Sequence, residues 1–334
     1  MVTGVGLTAP ASCAAIRCAI DNFQETRFMD SGGEWLLGCE VPLEQPWRGK
    51  AKLLKMAALA IKECLEGNKQ INPELTPLIL CLSEHERRGR VIDDDTQFFL
   101  DLQNELGLKF HEKSWVVANG HTAVAVALKQ ARILFQELHI NHVLIAATDS
   151  LLVGPTLAHY EEHERLLNSD NSNGFIPGEA GAALVIEPGV AKHENQLVCR
   201  GLGFGLEKAH VYSEEPLRAD GLVTAIKASL DDAGCGESVL DFKITDISGE
   251  QYYFKEASLA FSRIDRTKRE EFDIWHPADC VGDVGAVSGL VMVAVLKAAC
   301  EKGYTKGDRI LAHLGDDEGK RASMIFFWQK AGRK

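Results

Sequence analysis

The sequence predicts an α/β fold built from two similar halves. Short apolar runs alternate along the chain with longer amphipathic stretches, which is the pattern of strands and helices in turn. Each half repeats the order strand, helix, strand, helix, strand. A polar stretch, Pro188 to Asn195, stands between them. It sets the expected boundary, with residues 1–190 as one half and 191–334 as the other.

The elements follow in order. The N-terminus reads at once as a strand. Leu53 to Cys64 is a helix, because Leu53, Leu54, Met56, Ala57, Leu59, Ala60 and Ile61 recur at helical spacing. Pro77 to Leu82 is an unbroken apolar run of strand length, hence a buried strand. Trp115 to Ala118 is a second strand, and the Ala-rich stretch Thr122 to Leu138 is a long helix. Asn141 to Thr148 is a strand ending at Asp149-Ser150, and Pro155 to Leu167 is a helix. Ala182 to Glu187 and Gln196 to Gly203 flank the polar stretch as strands. Beyond it come a helix over Pro216 to Ala233, a strand over Phe242 to Ile247 and a helix over Gln251 to Ile264. An apolar helix over Ala286 to Cys300 and strands over Ile310 to Leu314 and Ala322 to Trp328 complete the second half.

At 334 residues, 46% hydrophobic and 25% charged, the chain can bury a sizeable core as one large or two fused domains. No run of 18 apolar residues appears, so no membrane span is expected. The start lacks a basic stretch followed by an apolar one, so no signal peptide is expected. The nine cysteines are scattered and show no CxxC spacing, which fits reduced thiols in a cytoplasm better than a disulfide framework or a zinc site. A net charge of −12 argues against general binding to nucleic acid or anionic membranes. The best basic patch is Arg87-Arg88-Gly89-Arg90, which reads more readily as a solvated loop of mixed charge beside Glu84 and Glu86.

The segment Asn173-Gly174-Phe175-Ile176-Pro177-Gly178-Glu179-Ala180-Gly181-Ala182-Ala183-Leu184-Val185-Ile186-Glu187 resembles the glycine-rich turn and following strand of β-ketoacyl synthases. Other blocks resemble that family in its own order: Val2 to Pro10, Ala147 to Ser150, Leu166 to Asp170, Gly201 to Gly205 and Val281 to Gly289. The resemblance implies a thiolase-like fold, two similar βαβαβ halves in a layered α/β/α/β/α architecture. It also implies a dimer that continues a sheet across its interface, where Trp115 to Ala118 would lie.

A condensing enzyme needs a thiolate at the start of a buried helix, where the helix dipole favours an anion. The resemblance places that position at Asn119 or Gly120, and neither forms a thioester. It places the two catalytic histidines at Ser248 and Asp283 and the family's lysine at Ala278. A carboxylate beside a developing enolate would repel it. The family's terminal Gly/Phe-rich loop is replaced by the polar Gly315 to Arg321. Decarboxylative condensation by the usual route is therefore not expected. One other set remains: His276, Cys280 and Asp283 share a loop, and His121 opens the central helix. A Cys-His pair could act as a nucleophile, while the plainer reading makes Cys280 a buried filler and His121 a helix-start polar group.

Two further patterns are read as structural. His159-Tyr160-Glu161-Glu162-His163 fits HxxEH, with both histidines on one helix face. Its neighbours Leu157, Tyr160, Leu166 and Leu167 can form a buried stripe, so the segment is read as a surface helix and no metal is expected. Gly201 to Gly205 lacks the GxGxxG spacing of a dinucleotide loop and is read as a turn, and no cofactor is expected.

The functional expectation is a non-catalytic partner in fatty acid or polyketide synthesis, similar to the chain-length-factor subunits of polyketide and aryl polyene pathways. It would form a homo- or heterodimer with a synthase-type paralogue and meet an acyl carrier protein or a protein cargo. A second version is an adaptor resembling those beside type VI secretion toxin modules. The enzyme alternative is an acyltransferase or 3-oxoacyl synthase acting on acyl thioesters through non-standard residues.

Overall fold

A computed structural model describes residues 1–189, 194–265 and 272–331. It comprises two compact units, one of residues 1–188 with 278–294, the other of residues 189–277 with 295–334. Residues 190 and 191, where the expected boundary falls, lie outside the described residues.

The first unit holds β1 (Val2–Thr3), a hairpin of β2 (Gln24–Met29) and β3 (Trp35–Gly38), β4 (Leu78–Leu82), β5 (Trp115–Ala118), β6 (Val143–Ser150) and β7 (Glu179–Ile186). Its main sheet runs β1-β7-β6-β4-β5. β4 is parallel to β5 and β6, while β7 is antiparallel to β6 and β1. Every residue of β4 is buried, as an unbroken apolar run requires of a central parallel strand. The helix Gly49–Glu66 buries Leu53, Met56, Ala57, Ala60 and Ile61 in the same core as Leu78, Leu80 and Leu82.

The second unit holds β8 (Gln196–Leu206), β9 (Phe242–Thr245), β10 (Ile274–Trp275), β11 (Arg309–Gly315) and β12 (Lys320–Gln329), in the order β10-β9-β11-β12-β8. β9 is parallel to both neighbours and β12 antiparallel to both of its own. Ranked along the chain, the strands of each sheet stand first, fifth, fourth, second, third. The two halves are thus similar in topology, as the sequence predicts.

Three expectations are corrected. Gly201 to Gly205 is no turn but the interior of β8. A Cβ on Gly201, Gly203 or Gly205 would come within 2.0, 1.9 or 2.1 Å of the carbonyl oxygens of Ser229, Ala225 and Gly221. The alternate glycines let the helix Asp220–Ala233 lie against the strand backbone. That helix starts at Asp220 rather than Pro216. The helix expected over Pro155 to Leu167 spans only Gly154–Glu162. Beyond it the Leu167 amide donates to the Phe175 carbonyl (2.9 Å) and the Phe175 amide to the Arg165 carbonyl (2.9 Å), so the chain turns extended. The sequence also hid the helices Ala9–Arg17 and Asp95–Leu106 and the β2–β3 hairpin. No helix among the described residues is long and apolar enough to cross a membrane.

Candidate functional site

The first unit contains the strand-to-helix junction that the sequence marks as the reactive position. β5 ends at Ala118, Gly120–Thr122 make one 3₁₀ turn, and the helix Ala123–Glu137 follows. Gly120 adopts φ +52°, a left-handed conformation that costs glycine little and other residues more. The same device recurs at Gly285, with φ +54°, a 3₁₀ turn over Gly285–Val287, and the helix Ser288–Lys302. Asn119 (φ −123°, ψ 18°) and Val284 (φ −110°, ψ 19°) precede them in near-identical geometry.

A buried charge network joins these turns. The Arg87 guanidinium donates through Nε and Nη2 to the two Glu84 carboxylate oxygens (2.8 and 2.7 Å), a bidentate pair. Its Nη1 donates to Asp149 Oδ2 (2.7 Å), which also accepts the Ala286 backbone N–H (2.8 Å). Asp283 Oδ1 accepts the Gly285 N–H (2.9 Å) and lies 2.8 Å from His121 Nε2. Burial pushes the Glu84 carboxyl up, but the Arg87 charge and hydrogen bonds outweigh it and hold it below its usual range. Burial works against the Arg87 charge, and Asp149 and Glu84 overcome it, raising the guanidinium well above its usual value.

Carboxylates therefore occupy the space that side chains at the two turns would need. A Cβ on Gly120 would stand 2.3 Å from Glu84 Oε2, and one on Gly285 would stand 2.2 Å from Asp149 Oδ2. Helix starts favour anions. In a condensing enzyme that preference serves a thiolate; here fixed carboxylates take it up.

The Asp283 loop is held by the glycine-rich segment that carries the family resemblance. The Gly178 N–H donates to the Asp283 carbonyl (2.8 Å), and the Asp283 N–H donates to the Ile176 carbonyl (2.8 Å). A Cβ on Gly178 would meet the Val281 carbonyl oxygen at 2.3 Å. The most specific stretch of the sequence is thus a structural clasp.

Among the residues singled out from sequence, the structure brings His121 and Asp283 together beside Asn119 and Gly120. Cys280 is in the same unit, but among the described residues its hydrogen bonds run to Ile16 and Cys39. Its thiol points to the Ile16 carbonyl oxygen (4.0 Å), and its own carbonyl faces the Cys39 thiol (3.7 Å). Burial, then Asp279 and Asp21, push the Cys280 thiol up to about 11, opposite to the shift of an activated nucleophile. Ser248 follows β9 in the second unit, and His276 follows β10 there, edge-on to Phe254 at 5.3 Å between ring centroids.

Sequence reasoning missed Glu84, Arg87 and Asp149 as the heart of the site. The run Arg87-Arg88-Gly89-Arg90 is neither a basic patch nor a solvated loop. Only Arg88 is exposed; Arg87 is buried, and Arg90 is bonded to the carbonyls of Ser83 (3.2 Å) and Ile92 and to Asp95. The available signal was the three-residue step from Glu84 to Arg87 together with a lone aspartate ending an apolar strand, since a buried charge must be paired.

The second unit buries charge differently. Arg321 Nε donates to both Glu256 oxygens (2.8 and 2.9 Å), and Nη1 donates to the Asp316 carbonyl (2.7 Å) within the β11–β12 hairpin. The polar replacement loop predicted over Gly315 to Arg321 is this hairpin turn, and Asp317 accepts the Tyr253 hydroxyl (2.7 Å). His313 Nδ1 lies 3.2 Å from Thr245 Oγ1. Burial first, then Lys243, hold the His313 imidazole down at about 3.

No family model matches the sequence, and no curated protein does. Solved structures match over nearly the whole chain. A chain of the ishigamide ketosynthase/chain length factor superposes with a TM-score of 0.78 at 16% identity, covering 98% of this chain and 96% of its own. A chain of a ketosynthase in complex with its chain length factor from Xenorhabdus doucetiae gives 0.73 at 10% identity, covering 98% and 96%. A ketosynthase from module 6 of the bacillaene synthase of Bacillus subtilis 168 gives 0.75 at 12% identity, covering 98% of this chain and 70% of its own. The chain has the thiolase-like α/β fold of ketosynthases.

Proposed function

We propose that this chain, built as two halves over 1–190 and 191–334, is the non-catalytic partner of a ketosynthase-type subunit. The observation that carries the reading is the filled reactive junction. A side chain at Gly120 would place its Cβ 2.3 Å from Glu84 Oε2, the oxygen that accepts from Arg87 Nη2. Two solved structures of the same fold are ketosynthases described together with a chain length factor, and one is described as an acyl-carrier protein in complex with its ketosynthase. β5 also has β4 on one side and, among the described residues, no strand on the other, which leaves a ladder for a partner strand. These together support a chain-length-factor-like role beside a cysteine-bearing paralogue that acts on a carrier-bound acyl chain.

The test is co-expression with the ketosynthase paralogue from the same cells, followed by size-exclusion chromatography and acyl-loading assays. A stable one-to-one complex is expected, with the acyl group found by mass spectrometry only on the paralogue. A chain that ignores the paralogue, or that alone turns over an acyl thioester, overturns the reading.

A further inference from the structure

We propose that His159, Glu162 and His163 form a surface site for one transition-metal ion of the zinc class. The sequence reading assigned this segment to a surface helix without metal, and half of that stands: Leu157, Tyr160 and Leu166 are buried with Phe175 in one cluster. That burial fixes the opposite side of the helix outward. His159 is half-buried, and Glu162 and His163 are exposed.

One ligand atom from each of the three residues lies within 4.8 Å of the others. Around a zinc ion with bonds of about 2.0–2.1 Å, tetrahedral ligand atoms stand about 3.4 Å apart. Side-chain rotations of the exposed Glu162 and His163 would close that difference. The two imidazoles, four residues apart, have ring centroids 4.4 Å from one another.

A second observation sets the chemistry of one ligand. His163 Nδ1 lies 2.8 Å from the His159 backbone carbonyl oxygen. A carbonyl oxygen only accepts, so Nδ1 carries the proton and donates. In the neutral imidazole this makes Nε2 the lone-pair nitrogen, the form in which a histidine binds metal with its other nitrogen anchored to a carbonyl. Two imidazoles and one carboxylate suit Zn²⁺, Ni²⁺ or Cu²⁺ rather than Mg²⁺ or Ca²⁺, and the remaining coordination positions face solvent.

The experiment is calorimetric titration of the chelator-stripped full chain with Zn²⁺, with His163→Gln, His159→Gln and Glu162→Gln variants alongside. One saturable equivalent is expected, weakened about tenfold or more by either histidine change and less by the glutamate change. Co²⁺ should give visible d–d bands without the near-ultraviolet band of thiolate ligation, which separates this site from the nine cysteines. His163 is exposed, so its variant should melt at the same temperature as the parent in chelator. Absence of saturable binding, binding unchanged by His163→Gln, or a thiolate band overturns the proposal.

Discussion

The two units share one strand order yet bury charge for different ends. In the first, a single arginine serves two carboxylates, and both carboxylates sit at the glycine starts of helices. In the second, Arg321 meets the lone carboxylate of Glu256 and backbone carbonyls of its own hairpin, and His313 stays neutral nearby. The backbone plan is therefore common to both, while the chemistry lives in side chains that can change without altering the strand order. What sets the first unit apart is that its charges fill the turns; those of the second brace a hairpin.

The largest effect expected of this difference is at the arginines. Arg87→Met leaves Glu84 and Asp149 without their shared cation, and breaking a buried pair from one side costs about 3–5 kcal/mol. Arg321→Met strands one carboxylate and should cost less. Urea unfolding of both variants checks the order. If Arg321→Met proved the more damaging, the first unit's network would not be the more demanding of the two.

Next comes acid. The folded His313 imidazole is held at about 3, below its ordinary value of 6.5. Its pKa is lowered on folding, so the unfolded chain binds one more proton between those values. Stability is full above about pH 6.5, falls with pH by about 1.4 kcal/mol per unit, and stops falling near 3. By about pH 4.5 the loss reaches roughly 2–3 kcal/mol. Glu84 acts in the same direction at lower pH: its depressed pKa adds stability above the unfolded carboxylate value, lost progressively as pH falls from there through the lower folded value. His313→Gln should therefore flatten the stability profile between pH 6.5 and 4.5, measured by unfolding at several pH values. An unchanged slope would place the acid sensitivity elsewhere.

Much of the fold was legible because it rests on periodicity. Trp115–Ala118 and Gln251–Ile264 appear with the predicted bounds, and the other long elements fall within a few residues. The helix Asp95–Leu106 was hidden by its mixed polarity, although Asp94 caps its start by accepting the Gln97 N–H (3.0 Å) and Gly107 ends it at φ +65°. Those are local signals that hydropathy alone overlooks. The junction at Asn119 and Gly120 was legible as a strand end followed by a helix. The charges around it were not, because Glu84, Arg87 and Asp149 converge only through the parallel pairing of β4 with β6, which sequence spacing does not encode. Gly201 to Gly205 misled for a related reason: a run of alternate glycines reads as a turn until a helix is seen lying on it.

The smallest expected effect separates the two glycine turns. Gly120→Ala and Gly285→Ala each place a Cβ at positive φ, with strain of about 1–3 kcal/mol. Their contacts are alike at 2.3 and 2.2 Å, but what must move is not. Glu84 has its side chain 15% exposed and can swing outward, giving up Arg87 for water. Asp149 is 3% exposed and held by Arg87, the Ala286 N–H and the Ser150 N–H, so it has nowhere to go. Gly285→Ala should therefore be the more destabilising, by about 1 kcal/mol, in urea unfolding of the two variants side by side. Adding Glu84→Gln should relieve part of the Gly120→Ala penalty and none of the Gly285→Ala penalty. Equal penalties with equal relief would mean that the two turns are filled in the same way after all.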